Sequence, residues 1–235
     1  MTYGQPTHLN ARPLEGVLVV HLTEREDMRC HQKIVKDRAA KDNAGSDMWG
    51  NWWEDLDVDI GSAELREVSI RTASAIIKDY EYLGTMCNAP IKAYGIFWGG
   101  NCGGVIVFGA VSPPNVARSV CPTNPKMVIQ LGRGASVHWA HEHSSSKLIA
   151  YGLREVAKLG YWFVIAYSDP DAGEIGTVYQ ATNWLYCGLT AKRPDYIMPN
   201  GKRLVGNVPA GFVKECTIVD RTRKHRYVKA DSASV

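Results

Sequence analysis

From residue 65 onward the chain switches regularly between short apolar runs and amphipathic stretches. Residues 65–71, LREVSIR, alternate polar and apolar side chains as a half-buried strand does. Residues 72–84, TASAIIKDYEYLG, place apolar side chains at helical spacing, with Thr72 as a candidate N-cap and Gly84 as the stop. Residues 91–111 form two apolar runs split by Gly-Gly-Asn-Cys-Gly-Gly, the pattern of a hairpin. Residues 126–140 read as a further strand broken by glycines. In residues 144–160, Leu148, Ile149, Leu153, Val156 and Leu159 recur on one helical face. Residues 161–167 are short, uncharged, β-branched and aromatic, which predicts a buried strand. A helix and two or three strands complete the order β–α–β–β–β–α–β–α–β–β, an α/β protein with a mixed sheet.

The first 62 residues follow a different pattern. Residues 16–22 are strand-like, residues 24–41 are charged and predicted helical, and Trp49, Trp52 and Trp53 cluster in a polar loop. Such tryptophans are core plugs or an exposed platform; their usual burial favours the core. The chain therefore divides into an extension, residues 1–62, and a main domain, residues 63–235. Hydrophobic residues are 45% and charged residues 22%, globular usage that excludes a disordered chain. No apolar stretch approaches the roughly 20 residues that span a bilayer. The N-terminus has no basic-then-apolar signal pattern. The six cysteines are scattered with no C-x-x-C pair, which predicts free thiols in a reducing cytoplasm.

Residues 167–188, YSDPDAGEIGTVYQATNWLYCG, carry the first candidate chemistry. A buried strand runs into Asp169-Pro170-Asp171, turn and helix-start chemistry, and Gly188 is the expected helix stop. Polar turns at the carboxyl ends of buried strands are frequent ligand sites in α/β folds. Asp169 is either a cap or a carboxylate that accepts a proton or holds a metal; Tyr179 is either a core aromatic or a hydroxyl donor. The net charge of +3 is mild, but residues 221–229, RTRKHRYVK, concentrate cations near the end of the chain. That run is either a solvated strand or a phosphate-gripping face. Alternation along it puts Lys224 and Arg226 on one side, and His225 and Tyr227 on the other.

The element order from residue 65 resembles the GNAT acyltransferase fold: a GNAT-like mixed central sheet flanked by helices. Within such proteins, residues 166–188 resemble the strand–helix motif of the phage Mom group, which modifies the exocyclic amine of adenine in DNA. KHRY, residues 224–227, is similar to a recurrent element of phage GNAT-like proteins. The resemblance implies a DNA-modifying N-acyltransferase of the host cytoplasm, with acetyl-CoA or a related acyl donor as cofactor and DNA as partner. It points to Asp169 and Tyr179 as catalytic residues. Mom-like proteins carry a His-Tyr pair at the end of the first core helix; here the pair is Glu81-Tyr82. Glu81, Tyr82 and Asp169 thus form a possible iron site, with Glu81 in place of the histidine.

A CoA thioester needs a phosphate cradle at a strand–helix junction. Here the glycines of that junction, Gly132 and Gly134, lie well upstream of the helix, and Ser144, Ser145 and Ser146 stand at its start. These serines are phosphate ligands or simple N-caps. Arg133 reaches either a phosphate or a structural ion pair. Asn183, inside the long motif, joins the cofactor-contact candidates, and Lys224, His225 and Arg226 are the substrate-contact candidates. His138, His141 and His143 have neither helical nor zinc-motif spacing and read as loop or substrate-contact residues. Two other functions remain open: an acetyl-CoA-dependent N-acetyltransferase acting on a small molecule or protein amine, and a non-catalytic DNA-binding module.

Overall fold

The computed structural model describes residues 30–43, 53–201, 203–204 and 210–230. The strand-like residues 16–22, the start of the charged stretch, Trp49 and Trp52 lie outside the described residues. A first helix, α1 (His31–Asn43), falls in that charged stretch.

The pattern of residues 65–111 yields β1 (Glu64–Val68), α2 (Ile70–Tyr80), β2 (Pro90–Trp98) and β3 (Asn101–Gly109). The helix begins one turn earlier than the pattern suggested. Ser69, not Thr72, is the N-cap, and its hydroxyl accepts the Thr72 N–H at 3.0 Å. The helix ends at Tyr80, and Gly84, at φ +58°, serves the turn beyond it. A short helix, α3 (Pro114–Val120), precedes β4 (Val128–Ser136). Helix α4 (Ser144–Lys158) and β5 (Phe163–Ser168) follow as the apolar spacing predicts.

The stretch after β5 departs from expectation. In place of one long helix there is a single 3-10 turn at Pro170–Ala172 and a five-residue α5 (Thr177–Ala181). Asn183 takes a left-handed φ of +58° and turns the chain into β6 (Leu185–Leu189). Gly188 therefore lies within a strand and does not stop a helix. Strands β7 (Pro194–Ile197), β8 (Arg203–Leu204) and β9 (Thr217–Asp220) form a small second sheet, with α6 (Ala210–Val213) between the last two. Strand β10 (His225–Ala230) returns to the main sheet.

That main sheet has seven strands in the order β1-β2-β3-β4-β5-β10-β6. All neighbours are antiparallel except β4 and β5, which run parallel. Both faces are covered, so β3 reads as a continuous apolar run. Val105 and Val107 face α2 with Ala73 and Ile77, while Ile106 and Phe108 face α4 with Leu148 and Val156. Helix α4 approaches β3 at Gly152, where a Cβ would stand 2.5 Å from Ile106 Cδ1. Residues 53–60, ahead of β1, also pack on the rest of the fold. Trp98 Nε1 donates to the Asp59 carbonyl at 2.8 Å, the Lys147 ammonium donates to the Ile60 carbonyl, and Trp53 meets His138 edge-on.

Among the described residues, no helix is long and apolar enough to cross a membrane. The six cysteines are free thiols.

Candidate functional site

The parallel pair supplies the site. Strands β4 and β5 are paired from Val128↔Phe163 to Leu131↔Ala166, and there the register ends. Beyond it the β5-side edge of β4 has no strand partner among the described residues; in this stretch the Gly132 carbonyl accepts Arg133 Nη1 at 2.7 Å and the Gly134 carbonyl accepts Gln32 Nε2 at 3.3 Å. A cavity of about 370 Å³ lies in this opening. Gly132 to Ser136 form one wall, Tyr167 to Asp169 another, and Ser145 at the head of α4 closes one end. Residues 173–179, Glu81, Tyr82 and Lys224 also line it, together with Cys30 and Gln32 from the start of α1. The Ser168 hydroxyl, on a residue only 2% exposed, has no hydrogen-bond partner within the described protein and lies on this wall.

Two side chains from distant parts of the sequence, Tyr82 and Lys224, converge on Asp169. Its Oδ1 accepts the Asp171 N–H at 3.1 Å, the cap that the Ser-Asp-Pro-Asp stretch predicts. Its Oδ2 accepts the Tyr82 hydroxyl at 2.9 Å and forms an ion pair with Lys224 Nζ at 2.8 Å. Lys224 also reaches the Tyr82 oxygen at 3.2 Å. Burial alone would raise the Asp169 pKa; Lys224, Tyr82 and the Asp171 N–H outweigh it and hold the carboxyl below its ordinary value. Burial and the Asp169 charge push the Tyr82 phenol well above its ordinary range, so it is a neutral donor.

Glu81 is pushed up by burial, while Arg133 at 3.8 Å pulls it down. The Arg133 guanidinium donates to the carbonyls of Thr85 and Gly132, each at 2.7 Å, and so ties the turn after α2 to β4. Arg133 thus makes the structural contacts of one expectation and also lines the cavity. Tyr179 stacks obliquely between Trp184 and Tyr227, and burial first, then Glu174 and Tyr227, raises its phenol. Gly176 makes this packing possible. It has φ +76°, and a Cβ there would stand 2.4 Å from the Tyr227 ring.

The serines divide. Ser144 is buried and bonds Ser136, Ser146 caps back to the His143 carbonyl, and Ser145 alone lines the cavity, 2.8 Å from the Ser136 hydroxyl. Asn183 lies outside the cavity, and its carbonyl accepts Lys229 Nζ at 3.0 Å. His225 is also outside, 3.0 Å from the Tyr186 hydroxyl, and Arg226 lies near the Cys187 carbonyl. Lys224 and Arg226 do not share an outward basic face. Lys224 precedes β10, where strand alternation does not apply, and it turns into the cavity. Lys192, Arg193, Arg221 and Arg223 are exposed, on two loops joined by the Arg221 N–H to Arg193 carbonyl bond at 3.3 Å; Lys192 pairs with Asp220 and Arg223 donates to the Thr190 carbonyl.

Among the described residues no group of three or more His, Cys, Asp or Glu side chains is arranged to hold a metal ion. The iron expectation finds no ligand set there, because the Lys224 ammonium occupies the Asp169 carboxylate. His138 bonds Tyr80 at 2.9 Å, while the His141 and His143 rings lie 5.3 Å apart and His141 Nδ1 accepts the His143 N–H. The sequence reading missed two cavity residues in these roles, Lys224 as the partner of Asp169 and Glu174. Glu174 had a signal: a lone carboxylate between two glycines, five residues after Asp169.

A mixed sheet split at one parallel pair, with a polar cavity in the split, defines a GNAT-like α/β protein. The Mom protein family matches residues 62–204, and the chain belongs to that family. It is similar to "Methylcarbamoylase mom" of Escherichia phage Mu, with 31% identity over 140 residues. That match covers 56% of each chain, so this protein spans little more than half the length of that relative. Among solved structures, an IAA acetyltransferase from Bacillus cereus ATCC 14579 is similar at a TM-score of 0.44 and 11% identity, over 72% of this chain and 100% of the other. A GNAT family acetyltransferase from Elizabethkingia anophelis with acetyl-CoA bound gives a TM-score of 0.44 and 9% identity, over 72% and 99%.

Proposed function

We propose that this protein transfers an acyl group from a thioester donor, or a carbamoylmethyl group from a donor of another class, to the exocyclic amine of a base in DNA, adenine first, in the cytoplasm of a host cell. The observation that carries this reading is the split between β4 and β5, where the Asp169–Lys224–Tyr82 cluster lies inside a cavity of a Mom family chain. The similarity to the phage Mu methylcarbamoylase supports the choice of a DNA substrate.

The residues fit a thioester arm. Beyond its pairing with β5, β4 offers backbone N–H groups to an extended amide chain, and Ser145 stands where the arm meets the head of α4. Acetyl-CoA or a relative supplies an activated carbonyl there. Asp169, ionised and fixed by Lys224, accepts a hydrogen bond from the amine N–H and orients its lone pair. Tyr179, neutral, lines the cavity as a hydroxyl donor. The target amine is inside a duplex, so the base is flipped or the strand opened. The exposed cations Arg193, Arg221 and Arg223, on the loop before β7 and the segment before Lys224, hold the phosphates during that opening.

The test is incubation of the purified protein with duplex DNA and acetyl-CoA, digestion to nucleosides, and mass analysis. A new modified adenine nucleoside is expected. Modification of a free small-molecule amine, with the DNA unchanged, would redirect the reading to an N-acetyltransferase. Duplex binding without any transfer would redirect it to a DNA-binding module.

A further inference from the structure

The cavity holds three carboxylates, and they are differently placed. Asp169 is bound to Lys224 at 2.8 Å and to the Tyr82 hydroxyl. Glu81 faces Arg133 and accepts the Leu83 N–H at 2.9 Å. A carboxylate stabilised by a cation is a weak proton acceptor, because the contacts that favour its charge oppose its protonation. Asp169 is therefore suited to orient an amine and poorly suited to deprotonate it.

Glu174 differs. It lines the cavity on the loop between the 3-10 turn and α5, with glycines at φ +69° and +76° on either side, at Gly173 and Gly176. Its backbone N–H is tied to the Asp169 carbonyl at 3.0 Å, so the loop sits against the end of β5. Its carboxylate has no hydrogen bond or ion pair among the described residues. The groups that face it are the carboxylates of Glu81 and Asp169, the Lys224 ammonium, and the Tyr82 and Tyr179 phenols. The unpartnered, buried Ser168 hydroxyl lines the same cavity, so two polar groups there await a ligand.

We propose that Glu174 is the proton acceptor for the attacking amine, a catalytic role that rests on the transfer reading above. The amine nitrogen forms a bond to the thioester carbonyl carbon while one N–H proton passes to a Glu174 oxygen. The carbon–sulfur bond breaks, its electron pair leaves on sulfur, and the thiolate takes up that proton or one from water. Burial first, then the neighbouring charges of Glu81 and Asp169, raise the Glu174 pKa to about 7 against the pull of Lys224, matching a base that works near neutral pH.

The experiment is single-turnover transfer from acetyl-CoA to duplex DNA, read as modified nucleoside, between pH 5.5 and 9 (roughly a decade either side of the acceptor's midpoint and beyond). For the wild type, the rate should rise with pH through about 7 and level off. Glu174→Gln should lower the plateau about 10²-fold or more and abolish that limb, with duplex binding and melting retained. Glu174→Asp should restore part of the rate and keep a limb. A folded Glu174→Gln protein within threefold (roughly 0.7 kcal/mol) of the wild-type rate would overturn the role while leaving the transfer reading intact. If Glu174→Gln does not fold, a Glu174→Asp protein with wild-type rate and an unchanged limb overturns it. A wild type that modifies no DNA amine sinks the transfer reading and the Glu174 role together.

Discussion

Replacing Lys224 removes the cation that holds Asp169 ionised, and the size of that effect follows from the geometry. The charges are 2.8 Å apart, and the Lys224 and Asp169 side chains are 25% and 14% exposed. At an effective dielectric of about 20 their gross attraction is roughly 6 kcal/mol, and desolvation of both ions offsets most of it. A net coupling of about 2 kcal/mol remains, above the range of exposed pairs. The assay is a double-mutant cycle of wild type, Asp169→Asn, Lys224→Met and the double variant, each unfolded by urea at pH 7. Asn keeps an oxygen for the Asp171 N–H, and the Tyr82 acceptor it loses is lost in both Asn variants, so that loss cancels and the cycle reads the coupling to Lys224. Each single change should cost about 2–3 kcal/mol, and the double change clearly less than their sum. The folded carboxyl titrates below its ordinary 3.8, so this stabilisation is fully present above about pH 5 and is lost as pH falls through the depressed folded value. Strict additivity, a coupling below about 0.5 kcal/mol at pH 7, would refute the claim that Lys224 and Asp169 act as a unit.

Tyr179→Phe removes a hydroxyl that lines the cavity, so melting should shift by less than about 0.5 kcal/mol while transfer falls about 10²-fold; normal turnover with a lower melting point would make it a core residue. Gly176→Ala forces a side chain into a left-handed position against the Tyr227 ring and should cost about 3 kcal/mol in urea unfolding; a loss under about 1 kcal/mol would mean the ring moves freely. Arg193→Ala with Arg221→Ala should lower the log–log salt slope of duplex binding by about 2, whereas Lys224→Met should leave it within about 0.5 of wild type; the opposite pattern would return Lys224 to the phosphate face.

Much of this architecture could be read from local pattern. Residues 163–167 of the apolar run 161–167 became β5, the Asp169 cap formed as its sequence implies, and the helical face of Leu148, Ile149 and Val156 packs on the sheet. These features depend on near neighbours in the chain. What failed to show depends on distant ones. The helix after β5 is short because Asn183 adopts a left-handed turn and Gly176 lets α5 lie on Tyr227, a residue about fifty positions away. Alternation misplaced Lys224 because it assumed a strand that begins one residue later. The pairing of Lys224 with Asp169 requires β10 to insert beside β5, an event that no window of sequence contains. Glu174 was visible as a residue, but its lack of a partner is a property of the folded cavity.

The most direct test of transfer to a DNA base is made in cells. Chromosomal and plasmid DNA from cells expressing the wild type, Asp169→Asn, Glu174→Gln or an empty vector would be digested to nucleosides and analysed by mass. The account predicts a modified adenine nucleoside with the wild type that is strongly reduced in both variants, at equal levels of folded protein. DNA from wild-type cells indistinguishable from the empty-vector control would contradict it.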